Sequence, residues 1–372
     1  MRTSSLSAVF PRCFDWKGWL VRQCSAYFWA EFRPRKRWSN VPPKFAIFWH
    51  RTAIPVLNIL HWADTNDSVE SVFKSLAPAN WRYISARTLS DLERHEELRR
   101  ADAVIVVNLD FTASEIDVLE HCKLVVHQGV GTDNVDVDRL LQRGIPLDVT
   151  SAGTTEEVAE YAIMLMLASS RFLKAISGEV DARRWPTWNY RSVSRSLAGR
   201  NVGLVGFGRI GQAVASRLLA MKAHVHVFPG PGRDLSVDWQ GRVNTAPSLE
   251  ALCRAVDLLS LHVPLRADTA GMVDAKMLDC LPHGAMLVNT GRGQLIDEIA
   301  LAERLADGRL AAAALDVVVP EPPPADHPLL GLPNVLVTPH LSSGTRDSLE
   351  AKVHSIISRI SATLAPTSAA VK

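Results

Sequence analysis

No Cys-x-x-Cys pair occurs in the 372 residues, and the five cysteines, Cys13, Cys24, Cys122, Cys253 and Cys280, are scattered and odd in number. That excludes a disulfide framework and a cysteine-based zinc site as organising features. It points to a reducing compartment, with the thiols read as small buried apolar groups and no metal expected. No apolar run approaches the ~20 residues needed to span a bilayer, so no membrane partner is expected. A strong charge of one sign is also missing: 41 Lys/Arg face 39 Asp/Glu, for a net +2. Residues 1–50 carry nine basic and two acidic side chains, a net +7, which leaves the rest of the chain at −5. A mildly acidic body does not fit a nucleic-acid binder. What is present is ordinary for a soluble globular protein: 47% hydrophobic, 22% charged, and a length that suggests about two domains.

Residues 1–50 read differently from the remainder. They hold five of the ten tryptophans and the cluster Arg33, Arg35, Lys36, Arg37, with no sustained period. A transit peptide, a surface-binding tail and a start codon placed too early all suit such a start. The expectation is a disordered, dispensable extension.

Asn201–Ala220, NVGLVGFGRIGQAVASRLLA, organises the chain. A short β-prone run leads into Gly206, Gly208 and Gly211 in G-x-G-x-x-G order, then into a helical pattern. Gly206 allows the turn, Gly208 lets a pyrophosphate approach the backbone, and Gly211 lets helix and strand pack closely. The first helical N–H groups then face the phosphates.

Upstream, Ile54–Trp62, Ala101–Asn108 and Lys123–Gln128 read as strands. Asp67–Leu76 reads as a helix, and Thr112 with Glu115 as a capping box opening another helix to His121. Strands alternating with helices imply a parallel α/β unit. The segment GVGTDNVD, Gly129–Asp136, follows a strand; it suits either a ligand-binding loop or an ordinary turn. Thr154 and Glu157 form a second capping-box pattern. The helix beyond, Val158–Leu167, is apolar on nearly every side and is expected to be buried all round, between domains or subunits or in a core. After the glycine turn, strands are expected at His224–Phe228, Asp257–Pro264, Gly284–Gly293, Ala311–Val318 and Asn334–His340, with Val318–Pro328 as a stiff connector.

Arg292, Glu321 and His340 each follow one of these strands. Parallel strands bring their carboxyl ends to one edge, so the three side chains are expected to converge on the dinucleotide crevice. A guanidinium grips a carboxylate with two parallel hydrogen bonds. An imidazole exchanges a proton near neutral pH, and a carboxylate beside it fixes its tautomer. That set suits hydride transfer, in which the cofactor carries out the redox step.

From about Ile54 to Ser361 the chain resembles the D-isomer-specific 2-hydroxyacid dehydrogenase family. The resemblance rests on GVGTDNVD, TTEEVAEYA, LVGFGRIG, HVPL, VNTGRGQLIDE, ALDVVVPEP and NVLVTPHLSSGTRDS, in order and at near-standard spacing. It implies an α/β fold of two Rossmann-like doubly wound domains. The dinucleotide-binding domain, 152–340, would be inserted into a flavodoxin-like substrate domain of 51–151 plus 341–372. It implies catalytic roles for Arg292, Glu321 and His340, with Asp316 near the nicotinamide. Val130 and Gly131, together with Arg292, would receive the substrate carboxylate. Thr155, Arg209, Ile210, Val263 and Thr290 would line the cofactor alongside Gly206, Gly208 and Gly211. A cytoplasmic homodimer is implied, with the helix after Thr154 at its face.

One departure concerns the cofactor. The family's NAD-selective acid stands 23 positions after the first glycine, and here that position is Pro229, followed by Gly230, Pro231, Gly232 and Arg233. Without the acid, repulsion of a 2′-phosphate is gone and Arg233 can pair with one, which tilts the expectation from NAD towards NADP. In a second departure, Val318 and Val319 replace the more usual aromatic and acidic residues. The expected reaction is hydride transfer between NAD(P)(H) and a 2-oxo/2-hydroxy acid. The alternative is a nucleotide-sensing corepressor on the same scaffold. Substrate choice is assigned to side chains near 61–67 and 107–112.

Overall fold

The computed structural model describes residues 55–365. The basic stretch 1–50, with Cys13 and Cys24, lies outside the described residues.

Buried apolar runs supply the strands. In chain order the elements of the first part are β1 (Leu57–Trp62), α1 (Asp67–Leu76), β2 (Trp81–Ser85), α2 (Asp91–Arg100), β3 (Ala103–Val106), α3 (Ala113–Asp117), β4 (Leu124–His127), α4 (Val137–Gln142) and β5 (Leu147–Val149). These strands form a parallel sheet of order β2-β1-β3-β4-β5. Every residue of β3 and β4 is buried, as a sheet covered on both faces requires.

Next come α5 (Thr155–Ser170), α6 (Leu173–Asp181) and α7 (Thr187–Arg191). A second α/β unit follows: β6 (Asn201–Val205), α8 (Arg209–Ala220), β7 (His224–Phe228), β8 (Asn244–Thr245), α9 (Leu249–Ala255), β9 (Leu258–Leu261), α10 (Ala275–Cys280), β10 (Ala285–Asn289), α11 (Glu298–Ala306), β11 (Leu310–Leu315) and β12 (Val335–Val337). Its seven parallel strands run β12-β11-β10-β9-β6-β7-β8. The order reverses between β6 and β9, where open α/β sheets bind ligands beyond the strand ends.

The last helix, α12 (Arg346–Leu364), packs Val353, Ile356 and Ile360 against Ile59, Phe73, Ile105 and Val126, and so returns to the five-stranded sheet. The two crossings between sheets touch. A Cβ on Gly153 would lie 2.7 Å from Ser348 Cα, and Ser348 Oγ donates to Gly153 O.

Local sequence rules account for many helix starts. Asn66, Ser90, Thr112, Ser248, Asp274, Asp297 and Thr345 each accept a backbone N–H at an N-cap, which satisfies one orphan donor apiece. The Thr112–Glu115 capping box forms, but α3 stops at Asp117 rather than His121. The reason is Arg143: its guanidinium takes the carbonyls of Ile116, Asp117 and Leu119 at 3.1, 3.0 and 2.6 Å.

The Thr154–Glu157 box does not form. Thr154 makes no side-chain cap; its hydroxyl turns to Ala152 O at 3.4 Å, in a turn fixed by the Gly153–Ser348 contact. Within the single chain α5 is buried on one side. Ala159, Ala162, Leu165 and Met166 are buried against the seven-stranded sheet and α8, whereas Met164 and Leu167 are 46% and 38% exposed. The expected strand Asn334–His340 is regular only over β12, because His340 itself adopts φ +50°.

Among the described residues no helix is long and apolar enough to cross a membrane, and no group of three or more His, Cys, Asp or Glu could hold a metal. Cys122, Cys253 and Cys280 are free. Burial pushes the Cys122 and Cys253 thiols up to about 11 and about 12, in keeping with an apolar rather than a reactive role.

Candidate active site

The glycine turn sits between β6 and α8. Gly206 has φ +93°, and a Cβ there would lie 2.4 Å from the His262 carbonyl oxygen after β9. A Cβ on Gly211 would lie 2.5 Å from Gly206 O, whereas one on Gly208 would meet nothing within 4 Å. The first and third glycines therefore let chain pack on chain, while the second presents open backbone. No side chain caps α8 at Gly208, so no side chain occupies its first N–H groups. Thr290 Oγ1 is buried without a protein partner at the end of β10. These features fit a dinucleotide phosphate and its ribose–nicotinamide end.

The other expected cofactor residues border the same edge. Ile210 and Val263 are half-buried, and Thr155 opens α5. Arg209 Nη1 donates to Ser151 Oγ at 3.0 Å, tying the turn to the crossing segment. Pro229 is buried after β7. Arg233 folds its stem back so that Cδ lies 3.6 Å from a Cβ built on Gly230. Beneath the turn, His262 donates to or accepts from Ser260 Oγ at 3.0 Å, and burial holds its pKa down at about 4.

Arg292 is placed by Asn289, which is fully buried at the end of β10. Asn289 Nδ2 donates to Arg292 O at 2.8 Å and its Oδ1 accepts from Gly291 N at 2.9 Å. The guanidinium then reaches the GVGTDNVD loop of the five-stranded half. Nε lies 3.2 and 3.1 Å from the two Asp133 oxygens, and Nη2 lies 3.0 Å from Oδ1. Nη1 donates to Gly291 O at 2.8 Å. A Cβ on Gly131 would come within 1.9 Å of Nη2, so a larger residue there displaces the guanidinium from this position. Val130 beside it is 49% exposed. Burial alone would raise the Asp133 carboxyl; the Arg292 guanidinium outweighs that and holds it below its ordinary value.

That loop rests on Asn134, which donates to Val107 O and Leu109 O at 3.2 and 2.8 Å. His127 Nε2 lies 3.1 Å from Asn134 Oδ1. His127 Nδ1 lies 3.3 Å from Gly129 O, so both ring nitrogens face acceptor oxygens, and burial lowers the ring's pKa.

Glu321 and His340 meet directly: Nδ1 of His340 is 2.8 Å from Oε2 of Glu321. Their side chains are 42% and 39% exposed for His340 and Glu321 respectively. Asp316 builds the turn that carries the histidine. Fully buried after β11, its carboxylate accepts from Thr338 Oγ1, Leu341 N and Ser342 N at 2.7, 2.8 and 2.7 Å. Its carbonyl accepts from His340 N at 2.8 Å. This clamp holds His340 at a positive φ that costs a non-glycine residue about 1–3 kcal/mol.

Arg292 and the Glu321–His340 pair are joined through backbone. A Cβ on Gly293 would lie 2.6 Å from the Val318 carbonyl carbon, so the arginine turn and the glutamate loop are in contact. Asp133, His127, Asn134 and Asn289 escaped the reading from sequence. Asp133, Asn134 and Asn289 lie inside the quoted motifs; the partners of Asp133 and Asn134 are distant in the chain, and Asn289 acts only on the turn of Arg292.

Two parallel α/β sheets, one ending in a glycine turn at its switch point, define a dinucleotide-binding class of fold. The family model described as "D-isomer specific 2-hydroxyacid dehydrogenase, NAD binding domain" matches residues 163–342. The chain is 34% identical over 269 residues to a hydroxypyruvate reductase of Thermotoga maritima, covering 70% of this chain and 85% of that protein. It is 33% identical over 264 residues to D-3-phosphoglycerate dehydrogenase of Archaeoglobus fulgidus, covering 70% of this chain and 49% of that protein; the chain thus spans about half the length of that relative. The structure of an NADPH-dependent glyoxylate/hydroxypyruvate reductase from Sinorhizobium meliloti, in complex with NADP and malonate, superposes with a TM-score of 0.71 at 30% identity, covering 82% of this chain and 93% of that one. The chain belongs to the D-isomer specific 2-hydroxyacid dehydrogenase family.

Proposed function

We propose that the protein is a nicotinamide-dependent oxidoreductase that interconverts a short 2-oxo acid and its 2-hydroxy acid. The observation that carries the reading is the 2.8 Å His340–Glu321 contact, with the turn of Arg292 packed through Gly293 on the Val318 end of the Glu321 loop. When bound, the nicotinamide supplies the hydride to C2. Arg292 holds the substrate carboxylate and stabilises negative charge on the reacting oxygen. Glu321 accepts from His340 Nδ1–H, which leaves Nε2 as the nitrogen that gives its proton to the developing alkoxide. One hydride and one proton convert the carbonyl to the hydroxyl.

The substrate class is the unphosphorylated one of the reductase relatives, glyoxylate or hydroxypyruvate. The charged residues of the two loops assigned to substrate choice are Asp64, Asp67 and Asp110, all acids and unsuited to a phosphate. NADP is favoured over NAD because Pro229 replaces the acid and Arg233 stands by the end of β7. Exposed Met164, Leu167, Leu173, Trp185 and Trp188 support a second copy of the chain on this face; sedimentation velocity giving a monomer mass at micromolar concentration refutes it.

The test is a panel of 2-oxo acids assayed with NADH and NADPH in parallel. Turnover of glyoxylate or hydroxypyruvate, faster with NADPH, is expected. His340→Ala lowers kcat about a hundredfold or more with dinucleotide affinity retained. Absence of turnover with every acid, or an unchanged kcat in His340→Ala, overturns the reading.

A further inference from the structure

Two residues before Glu321, both polar backbone groups of Val319 are held by a second carboxylate–imidazole pair. Val319 N lies 3.2 Å from each carboxylate oxygen of Glu298. His327 Nε2 lies 3.0 Å from Val319 O and 3.1 Å from Glu298 Oε2. Leu329 N donates to His327 Nδ1 at 3.4 Å, so the ring proton is on Nε2, shared between the Val319 carbonyl and Glu298. Both side chains are nearly buried, at 4% for His327 and 11% for Glu298. Burial raises the Glu298 carboxyl, and the charge of Glu321 acts in the same sense.

We propose that Glu298 and His327 are positioning residues for the proton-transfer pair, fixing through the Val319 backbone where Glu321 stands beside His340. The inference rests on the reading of Glu321 and His340 given above. The physical need is plain. Glu321 and His340 are each about two-fifths exposed, so water competes for their contact and little side-chain packing holds it. Glu321 Oε1 is 3.4 Å from Val318 N, so its loop closes partly on itself. Order must then come from anchors beyond the turn that carries Glu321. Gly293 supplies a steric contact on the arginine side, and Glu298 with His327 supplies the hydrogen-bonded one. A partner two residues from the reacting group acts on geometry, where a displacement near 1 Å can cost about a hundredfold. The titratable groups gathered there are Glu298, His327, Glu321 and His340.

The experiment compares Glu298→Ala, Glu298→Gln, His327→Ala and His327→Gln with the full-length wild type. It measures kcat and KM with the best 2-oxo acid, dinucleotide affinity by fluorescence, and melting temperature. Glu298→Ala and His327→Ala are expected to lower kcat about tenfold or more. The KM for the 2-oxo acid changes little beside that fall, because Arg292 and its turn are untouched. Dinucleotide affinity stays within about twofold of wild type, the binding groups being untouched. Glu298→Gln keeps an acceptor for Val319 N and His327→Gln keeps a donor for Val319 O, so each recovers most of kcat. An active wild type with an indifferent Glu298→Ala overturns the inference alone. So does a fall of kcat, affinity and melting temperature together that the Gln variants do not relieve, which marks a mere staple. Should Glu298→Ala not fold, His327→Ala and the two Gln variants decide by the same criteria. A wild type that turns over no 2-oxo acid sinks the functional reading and this inference with it.

Discussion

Asp133→Ala separates two opposite roles for the carboxylate that sits on Arg292. A guanidinium has five N–H donors. Asp133 takes Nε–H and one Nη2–H, and Gly291 O takes one on Nη1. One N–H remains on each terminal nitrogen, the pair a substrate carboxylate needs. On this count Asp133 orients the arginine and leaves its end free. Arg292 and Asp133 are 26% and 42% exposed, so the ion pair is screened and contributes at most about 1 kcal/mol. Losing it lowers kcat/KM for the 2-oxo acid about fivefold, with dinucleotide KM unchanged. Asp133→Asn keeps one acceptor and is milder. The assay is steady-state reduction at saturating dinucleotide. If Asp133 instead competes with the substrate for Arg292, its removal lowers the KM for the acid; that result refutes the orienting role.

Two further outcomes follow from packing and charge. Gly293→Ala places a Cβ 2.6 Å from the Val318 carbonyl carbon and 2.8 Å from its oxygen, so the glutamate loop must move; kcat falls about tenfold or more, and a wild-type kcat contradicts the contact. Glu70, buried in the first half, accepts from Thr65, Ser85 and Tyr83 and faces His61. Burial raises its carboxyl, but the hydrogen bonds from His61, Thr65 and Ser85 and the charge of His61 outweigh that and hold it at about 2 against an ordinary 4.5. A depressed folded-state pKa contributes stability above the unfolded value that is lost as pH falls from 4.5 through 2. Glu70→Gln should therefore lose about 3 kcal/mol at pH 7 and show a flatter acid limb in urea titrations; parallel curves for the two proteins between pH 7 and 2 exclude the effect.

Local signals carried much of the fold. The glycine turn, the alternation of strand and helix and the polar residues at strand ends are all read from a few neighbouring positions, and each element they name is present. Long-range contacts set the rest. Thr112–Glu115 and Thr154–Glu157 share one four-residue pattern, yet only the first closes, because Gly153 is pressed against Ser348, 195 positions away. The length of α3 depends on Arg143, which no helix-end rule inspects. Asp133 and Arg292 are 159 positions apart, so nothing near either residue announces the pair. The same holds for Glu298, whose carboxylate serves as partner to a loop 21 positions on.

The contact of Gly153 with Ser348 means that the seven-stranded half starts and finishes at one point in space. Such a segment has the geometry of a cassette, and exchange for its counterpart from another member of the family is expected to leave both junctions unstretched. The exchange would carry the glycine turn, Pro229, Arg233, Arg292, Glu321 and His340 as one block, and would leave Gly131 and Asp133 behind. The proposed acid-binding set would thus be drawn from both sides of the exchange, and the Asp133–Arg292 and Ser151–Arg209 contacts are polar seams a chimera has to re-form.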